Sequence, residues 1–269
     1  MSTLIYKHPT TVSGVSVDPS ASSIATSCFD GNVRVFASSA PGNPLLVERR
    51  GTQLNAVAMR SGKVATDDDK STMKEGVAIT TAGVEVHPAD FMQPGATILN
   101  ISKSGRYGVA TNQMCYDRAS GQSWQVVPVG TATDRWPMGV EELPDGKVVT
   151  VDLSGNISIW SAHQLAARLN VTTEGLNSVD VSDDGGSLVV TDFGRPQTSG
   201  PTRFGIYVYS STLQRIYQAD EAALIHQARW THDGIVYGTS DGRLMKWDGR
   251  SPILSLVSST PVSKPGKRK

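Results

Sequence analysis

The sequence predicts an all-β fold built from about six repeats of a four-stranded unit. The clearest copy is Arg229–Asp248, R-W-T-H-D-G-I-V-Y-G-T-S-D-G-R-L-M-K-W-D, in which two Asp-Gly turns separate three short strand-like runs. Asp-Gly between such runs is a strong hairpin signal, because glycine accepts the positive φ that a tight turn needs. A meander of this size cannot bury both of its faces alone, so we expect it to stack on other copies of itself.

This turn recurs along the chain at a nearly constant spacing. A small or acidic residue followed by glycine ends an alternating apolar run at five places, whose glycines are Gly62, Gly105, Gly146, Gly185 and Gly234. Their intervals are 43, 41, 39 and 49 residues, and Asp18–Ala21 is an equivalent without glycine. The longest interval contains Gly194–Arg203, an insertion rich in loop formers. Such a period indicates stacked supersecondary repeats.

Each repeat contains up to four strand-like runs. The first runs are Val12–Val17, Leu54–Met59, Thr97–Ser102, Met138–Leu143, Leu176–Val181 and Ala228–Thr231. The second repeat is the least regular, because a polar loop separates its Asp67–Lys70 turn from the run Gly76–Thr80. Ser161–Asn170 comes closest to a helical pattern, but a turn followed by an outer strand fits the repeat better. We expect one domain over residues 1–257 and a disordered basic tail over residues 258–269.

Three segments carry a resemblance to a known family: Asp30–Phe36 (D-G-N-V-R-V-F), Ser154–Trp160 (S-G-N-I-S-I-W) and Asp241–Asp248 (D-G-R-L-M-K-W-D). Units of about 40–45 residues with this turn and this aromatic strand end resemble WD40 repeats, which implies a β-propeller. The turn and strand signature residues are Asp30, Phe36, Trp160, Asp241, Trp247 and Asp248. The Gly-His dipeptide that normally opens each blade is missing throughout. The buried hydrogen-bond network of the family is therefore incomplete, and packing between blades must supply that stability.

Closure of the ring leaves two alternatives. In related propellers the N-terminal strand completes the last blade, and Leu4–Lys7 could do so here, but Pro252–Val257 competes for the same outer position. If Pro252–Val257 occupies this outer position, the ring would have to close in another way. Alternatively it would stay open and accept a strand from a partner, as in open-ring subunits of coat and nuclear-pore assemblies. An uncovered sheet edge invites such pairing. We prefer a closed ring, with seven blades or an open ring as alternatives.

Composition narrows the class of protein. Lys plus Arg and Asp plus Glu are each 25, and this zero formal charge argues against direct nucleic-acid binding. Cys28 and Cys115 are predicted to be buried free thiols, which favours a reducing compartment. No 18-residue apolar stretch and no signal-peptide core occurs. We expect an intracellular protein, cytoplasmic or nuclear, without membrane insertion.

The sequence contains no familiar catalytic motif. The sequence has no G-x-S-x-G nucleophile elbow, no H-E-x-x-H zinc-protease motif and no G-x-x-x-x-G-K-[ST] P-loop. None of its five histidines pairs with another at metal-ligand spacing. Asp67–Asp69 lacks the glycine and glutamate of an EF-hand loop and is interpreted as an exposed acidic turn. A calcium-binding propeller enzyme would need inward-facing oxygen ligands near the second-strand ends, where Asp30, Asn112, Asp152, Asp192 and Asp241 recur. We interpret these residues as caps of their own turns, and expect no catalytic residue, cofactor or metal.

Four residues are candidates for partner binding. Arg135 and Trp136 lie in the loop entering the fourth repeat, and exposed Trp beside Arg is the composition of an interface hot spot. Packing of Trp136 between blades is the equal alternative. Arg195 and Arg203 belong to the insertion, where long loops on rigid scaffolds often carry function and a solvated loop is the alternative. The tail sequence K-P-G-K-R-K suits nuclear import, solubility or a weak phosphate contact.

These observations favour a non-catalytic scaffold or adaptor that binds other proteins of a multiprotein complex. Rigid blades would hold the rim loops in place for partners to dock. One alternative is an open-ring structural subunit of a coat or pore assembly, completed by a partner's strand. The other is a propeller enzyme with calcium at the channel mouth.

Overall fold

The computed structural model describes residues 2–18, 20, 22–39, 42–67, 76–91, 96–128, 132 and 135–249. Five of its sheets have four strands and two have two strands. Seven buried apolar clusters lie between consecutive sheets, and together they run around a complete ring. The protein is therefore an all-β propeller. Within the described ranges, no helix has the length and apolar character needed to span a membrane.

The first half of the chain forms one complete blade and both small sheets. Strand β1 is Ser2–Lys7, and the first blade contains β2 (Val12–Asp18), β3 (Ser23–Cys28), β4 (Asn32–Ala37) and β5 (Leu46–Arg49). The small sheets are β6 (Val57–Arg60) with β7 (Lys63–Thr66), and β8 (Ala78–Ile79) with β9 (Glu85–Val86). A 3-10 helix, Pro88–Phe91, follows β9.

The second half of the chain forms four more blades. Their strands are β10 (Ile98–Ile101), β11 (Tyr107–Ala110), β12 (Met114–Asp117) and β13 (Gln122–Gln125); β14 (Pro137–Glu142), β15 (Val148–Asp152), β16 (Asn156–Ser161) and β17 (Gln164–Asn170); β18 (Leu176–Val181), β19 (Ser187–Asp192), β20 (Phe204–Ser210) and β21 (Arg215–Glu221); and β22 (Ile225–Thr231), β23 (Gly234–Thr239) and β24 (Arg243–Trp247). In every blade neighbouring strands are antiparallel.

Strands near the ring centre are covered on both faces by neighbouring sheets. Every residue of β15 and of β18 is buried for this reason, while every residue of the outer strand β5 is exposed. Continuous apolar runs therefore mark the inner strands, as expected for strands buried on both sides. The segment Ser161–Asn170 forms the outer strand β17 rather than a helix.

The second predicted unit forms two separate two-stranded sheets among the described residues, so five four-stranded sheets are present where about six were expected. After β7 the Asp67 carboxylate accepts hydrogen bonds from the amides of Asn55 at 3.0 and 3.1 Å and of Ala56 at 3.1 Å. Asp67 thus fixes the end of β7 beside the start of β6. The next run, β8, begins a new sheet instead of returning along β7. Asp68 and Asp69 lie outside the described residues.

The N-terminal strand closes the ring. β1 pairs antiparallel with β24, from Ser2 opposite Trp247 to Lys7 opposite Arg243, and so becomes the outer strand of the last blade. The open ring considered above would need this position to be vacant, so the described sheets do not form one. The competing run Pro252–Val257 and the tail 258–269 lie outside the described residues.

Both cysteines are buried free thiols, as predicted. Burial raises the pKa of the Cys28 thiol to about 12, and it also raises the pKa of Cys115. Cys28 Sγ lies 3.2 Å from Nδ1 of buried His8. Neither thiol is placed or ionised as a nucleophile would be.

Candidate functional site

A central cavity of about 770 Å³ lies along the ring axis. The first strand of every sheet contributes to its wall, including the two small sheets. Charged side chains are frequent among the lining residues: Asp18, Arg60, Lys103, Glu141, Glu142, Asp180, Asp183 and Arg229. This cavity is therefore a concave site with a largely charged and polar wall.

Side chains of the innermost strands reach the next sheet and accept hydrogen bonds from backbone amides there. The innermost strand of a blade has one unpaired edge, so its outward amides need such partners. The donor and acceptor pairs are Val140 N to Asn100 Oδ1 (3.3 Å), Val15 N to Gln227 Oε1 (2.8 Å), Met59 N to Ser16 Oγ (2.9 Å), Lys103 N to Glu141 Oε2 (3.0 Å) and Trp230 N to Asp180 Oδ2 (2.7 Å). These bonds hold neighbouring sheets together.

Four charged side chains form a network across the channel wall. Lys103 Nζ lies 2.8 Å from Asp180 Oδ1, and Arg229 Nη1 lies 3.5 Å from the same oxygen. Arg229 Nη1 is also 3.6 Å from Glu141 Oε1. Glu141, Asp180 and Arg229 are buried residues of β14, β18 and β22, and Lys103 lies in the turn after β10. These ion pairs therefore link four consecutive sheets of the ring.

Burial sets the electrostatics of this network. The pKa of Glu141 is raised to about 7, because removal from water disfavours its charged form more than Lys103 and Arg229 stabilise it. Burial alone would lower the pKa of Lys103, but the charges of Asp180 and Glu141 outweigh it and raise that pKa. Glu141 Oε1 and Trp230 Nε1 have no hydrogen-bond partner among the described residues. Burial thus makes Glu141 bind a proton more tightly than an exposed glutamate does.

The network holds neighbouring sheets together. Both of its cations face acidic partners, and its carboxylates accept the backbone amides described above. Across the described ranges, no group of three or more His, Cys, Asp or Glu side chains is arranged to hold a metal ion. The channel offers hydrogen bonding and charge, but the described chain places no activated nucleophile there.

The polar residues at the second-strand ends bind groups of their own turns. Asp30 Oδ1 accepts the Asn32 amide at 3.0 Å, and Asp152 Oδ1 accepts the Ser154 amide at 2.8 Å. Asn112 Oδ1 accepts the Met114 amide at 3.3 Å, and Asp241 Oδ1 accepts the Thr239 hydroxyl at 2.5 Å. These oxygens are therefore occupied within their turns. We call the side of the ring that carries Asp30, Asn112, Asp152, Asp192 and Asp241 the Asp-turn face.

Arg135 and Trp136 lie on the Asp-turn face, immediately before β14. Arg135 is exposed, and its Nη1 donates to the carbonyl oxygen of Leu153 at 3.0 Å. Trp136 is half-buried, and its carbonyl oxygen accepts the Leu153 amide at 2.9 Å. The turn after β15 thus fixes the position of this loop. On the same face, Phe29 is exposed and lies 6.1 Å from the His226 ring.

Arg195 and Arg203 frame the insertion between β19 and β20, where their backbones form an antiparallel bridge. The guanidinium of Arg195 pairs with Asp220 and lies 3.2 Å from buried Asp192. It also lies over the Tyr207 ring at 5.7 Å. Arg195 is therefore committed to the base of the loop, whereas Arg203 is half-buried with no ion pair among the described residues.

The remaining signature residues lie mainly in the packed interior. Trp160 donates its indole N–H to the Thr150 hydroxyl oxygen at 2.9 Å. Phe36 and Trp247 are fully buried at the ends of β4 and β24, and Asp248 is exposed just after β24. The sequence reasoning missed the channel network, although a charged residue inside an apolar run, as at Glu141 and Asp180, was a usable signal.

No protein-family model matches the chain, and no curated protein matches its sequence. Among solved structures, the fold is similar to the one titled "Crystal structure of Chaetomium thermophilum Raptor", with a TM-score of 0.63 at 9% sequence identity. The match covers 90% of this chain and 28% of that chain. At this identity the likeness concerns the fold alone. Fold and site together define a closed β-propeller with a charged channel.

Proposed function

We propose that the protein is a non-catalytic scaffold of the WD40 type that binds other proteins within a multiprotein complex. The observation that carries this proposal is the Asp-turn face, where exposed Arg135 and half-buried Trp136 are fixed by two hydrogen bonds to Leu153. An aromatic residue beside an arginine, held on rigid strands, is the usual composition of a binding hot spot. Phe29 is also exposed on this face, in the first blade.

Membership of the WD40 family is supported by the local chemistry of the blades. Asp-capped turns, the Trp160–Thr150 hydrogen bond and closure by the N-terminal strand agree with that assignment. The charged channel groups are engaged with one another, which favours a non-enzymatic role without a cofactor. The cytoplasm or the nucleus is the compartment we propose, because two buried free thiols suit a reducing environment.

The test is quantitative capture of partners from native extract by the tagged full chain. Arg135→Ala combined with Trp136→Ala is expected to reduce partner recovery by about tenfold, since a hot-spot pair contributes a few kcal/mol. Arg135→Ala alone serves as a milder variant, because its side chain is exposed. The control is Asp145→Ala with Lys147→Ala, an exposed ion pair on the turn between β14 and β15. Undiminished recovery by folded Arg135 and Trp136 variants would contradict the proposal.

A further inference from the structure

Two arginines of the Asp-turn face have no carboxylate partner among the described residues. Arg135 is exposed, and one N–H group of its guanidinium donates to the Leu153 carbonyl oxygen at 3.0 Å. Arg203 is half-buried, and its backbone forms the antiparallel bridge with Arg195. A guanidinium has five N–H donors in a planar fork that matches the two oxygens of a carboxylate. Both side chains therefore keep donors that a ligand can use.

The acidic side chains at the turns of this face are already engaged. Three carboxylates each lie beside an arginine of their own blade: Asp30 beside Arg34 at 2.6 Å, Asp241 beside Arg243 at 2.9 Å, and Asp220 beside Arg195. Buried Asp152 and Asp192 accept amide hydrogens of their own turns. These carboxylates therefore do not neutralise Arg135 or Arg203.

Glu174 is an exposed carboxylate in the loop between β17 and β18. Its Oε1 accepts the Thr173 hydroxyl at 3.2 Å, and no cation of the described chain pairs with it. Arg135 belongs to the loop before β14, and Arg203 to the loop between β19 and β20, so Glu174 comes between them along the rim. Two unpaired positive charges thus flank one unpaired negative charge, although the chain as a whole is neutral.

The two arginines lie on one continuous stretch of the rim. The Leu153 carbonyl oxygen, which Arg135 binds, is 2.9 Å from the position that a Cβ atom would take at Gly175. The Gly175 carbonyl oxygen accepts the Phe193 amide at 3.2 Å, and Phe193 precedes the insertion that Arg203 ends. Neighbouring sheets pack about 10 Å apart, so an extended segment of about six residues is long enough to contact both blades.

An aromatic side chain adjoins the first arginine. Trp136 is half-buried, and its carbonyl oxygen accepts the Leu153 amide at 2.9 Å, so indole and guanidinium are held side by side. A segment with carboxylates alone would leave the indole uncovered. The best complement to this surface therefore combines acidic side chains with an apolar one.

We propose that the partner segment that docks on the Asp-turn face is acidic, with carboxylates that pair with Arg135 and Arg203 and an apolar side chain that covers Trp136. This inference rests on the proposed scaffold function and adds the chemistry of the partner to it. A basic segment is disfavoured, because it would bring like charges against the two arginines. Glu174 weakens the binding of the acidic segment from the middle of the site.

Selection from a library of random peptides displayed on phage tests this proposal, with the full chain as bait. The selected peptides are expected to be enriched in Asp and Glu around an aromatic or aliphatic residue. Arg135→Ala with Arg203→Ala should weaken the affinity for a selected peptide by about tenfold or more, as measured by fluorescence anisotropy. Arg135→Lys with Arg203→Lys should give an intermediate affinity, because the charges stay and the planar forks are lost.

Two further variants separate the effect of charge from general damage. Glu174→Gln should raise the affinity by about two- to threefold, because it removes a negative charge beside the acidic peptide. Arg118→Ala is the matched control, since Arg118 is also exposed and donates its Nε–H to a carbonyl oxygen, that of Gly105, at 2.9 Å. Arg118 follows β12, at the opposite end of that strand from the Asp-turn face, so its loss should leave the affinity unchanged. Circular dichroism checks the fold of each variant.

The outcome with Trp136→Ala distinguishes this inference from the proposed function. Peptides that need Trp136 but show no excess of acidic residues, or that bind the double arginine variant equally well, would overturn the inference and leave the scaffold function standing. Peptides that are indifferent to Trp136→Ala as well would contradict both.

Discussion

The indole of Trp160 and the hydroxyl of Thr150 show how one residue pair contributes to a blade. Both side chains are buried and joined by a hydrogen bond of 2.9 Å. Thr26 and Phe36 hold the same positions relative to their turn glycine in the first blade, five residues before and five after it. The Phe36 ring has no N–H group to donate, and the Thr26 hydroxyl instead lies 3.4 Å from the Arg34 carbonyl oxygen. Equivalent positions thus differ in how much a threonine hydroxyl stabilises them.

Thr150→Val is expected to reduce the free energy of unfolding by about 1–3 kcal/mol, because it leaves the buried Trp160 N–H without an acceptor. Thr26→Val, the matched change in the first blade, should cost less than about 1 kcal/mol, because its hydroxyl makes only a long hydrogen bond. Urea denaturation of both variants measures the difference. Equal losses would show that the hydroxyl acts through packing rather than through Trp160.

At the scale of elements, Asp192 organises the hairpin that carries the insertion. Its Oδ1 accepts the amides of Gly194 at 3.0 Å and Gly205 at 2.6 Å, so one carboxylate oxygen holds both ends of the loop. Its Oδ2 accepts the Tyr207 hydroxyl at 2.6 Å. The sequence indicated a turn here. Tyr207 could not be identified as a partner, because that contact depends on the register between β19 and β20.

Asp192→Asn should lower the free energy of unfolding by about 2–3 kcal/mol, since an amide nitrogen cannot accept the buried Tyr207 hydroxyl and the charge facing Arg195 is lost. Asp184→Asn is the control. Asp184 is an exposed turn residue whose hydrogen-bond partners among the described residues are Ser182 and Gly186, and its change should stay within about 0.5 kcal/mol. Thermal and urea unfolding provide the measurements, and similar values for the two variants would contradict the role given to Asp192.

For the whole molecule, the channel network makes ring stability depend on pH. The pKa of Glu141 is about 7 in the folded protein against 4.5 in its ordinary state. Between these values the folded protein holds a proton that the unfolded chain releases, so this group's contribution to stability falls as pH rises. The contribution of Glu141 protonation to the free energy of unfolding is fully present below pH 4.5 and is lost above pH 7.

Glu141→Gln mimics the protonated side chain and removes this dependence. We expect the variant and the wild type to be equally stable near pH 4.5, and the variant to be more stable at pH 8 by roughly 3 kcal/mol. Denaturant unfolding across this range is the measurement. A variant that is less stable at pH 8 would mean that Lys103 and Arg229 favour the ionised carboxylate more than burial disfavours it.

The repeat was predictable because its signals are local. An Asp-Gly turn and the apolar run before it act within one hairpin, so the strands around Gly146 and Gly234 follow from residues close in sequence. The second repeat was not predictable in the same way. Asp67 binds the start of β6, and the chain then begins a new sheet at β8, an outcome that depends on a contact across the hairpin.

The sequence by itself determined the all-β class, the repeat period and most of the strands, because alternation and turn residues act over a few positions. Tertiary structure alone decided three things: the five complete blades with two small sheets, closure by β1, and the network around Glu141. Each of these joins segments from distant parts of the chain. Such pairings depend on which edges and faces meet when the ring closes.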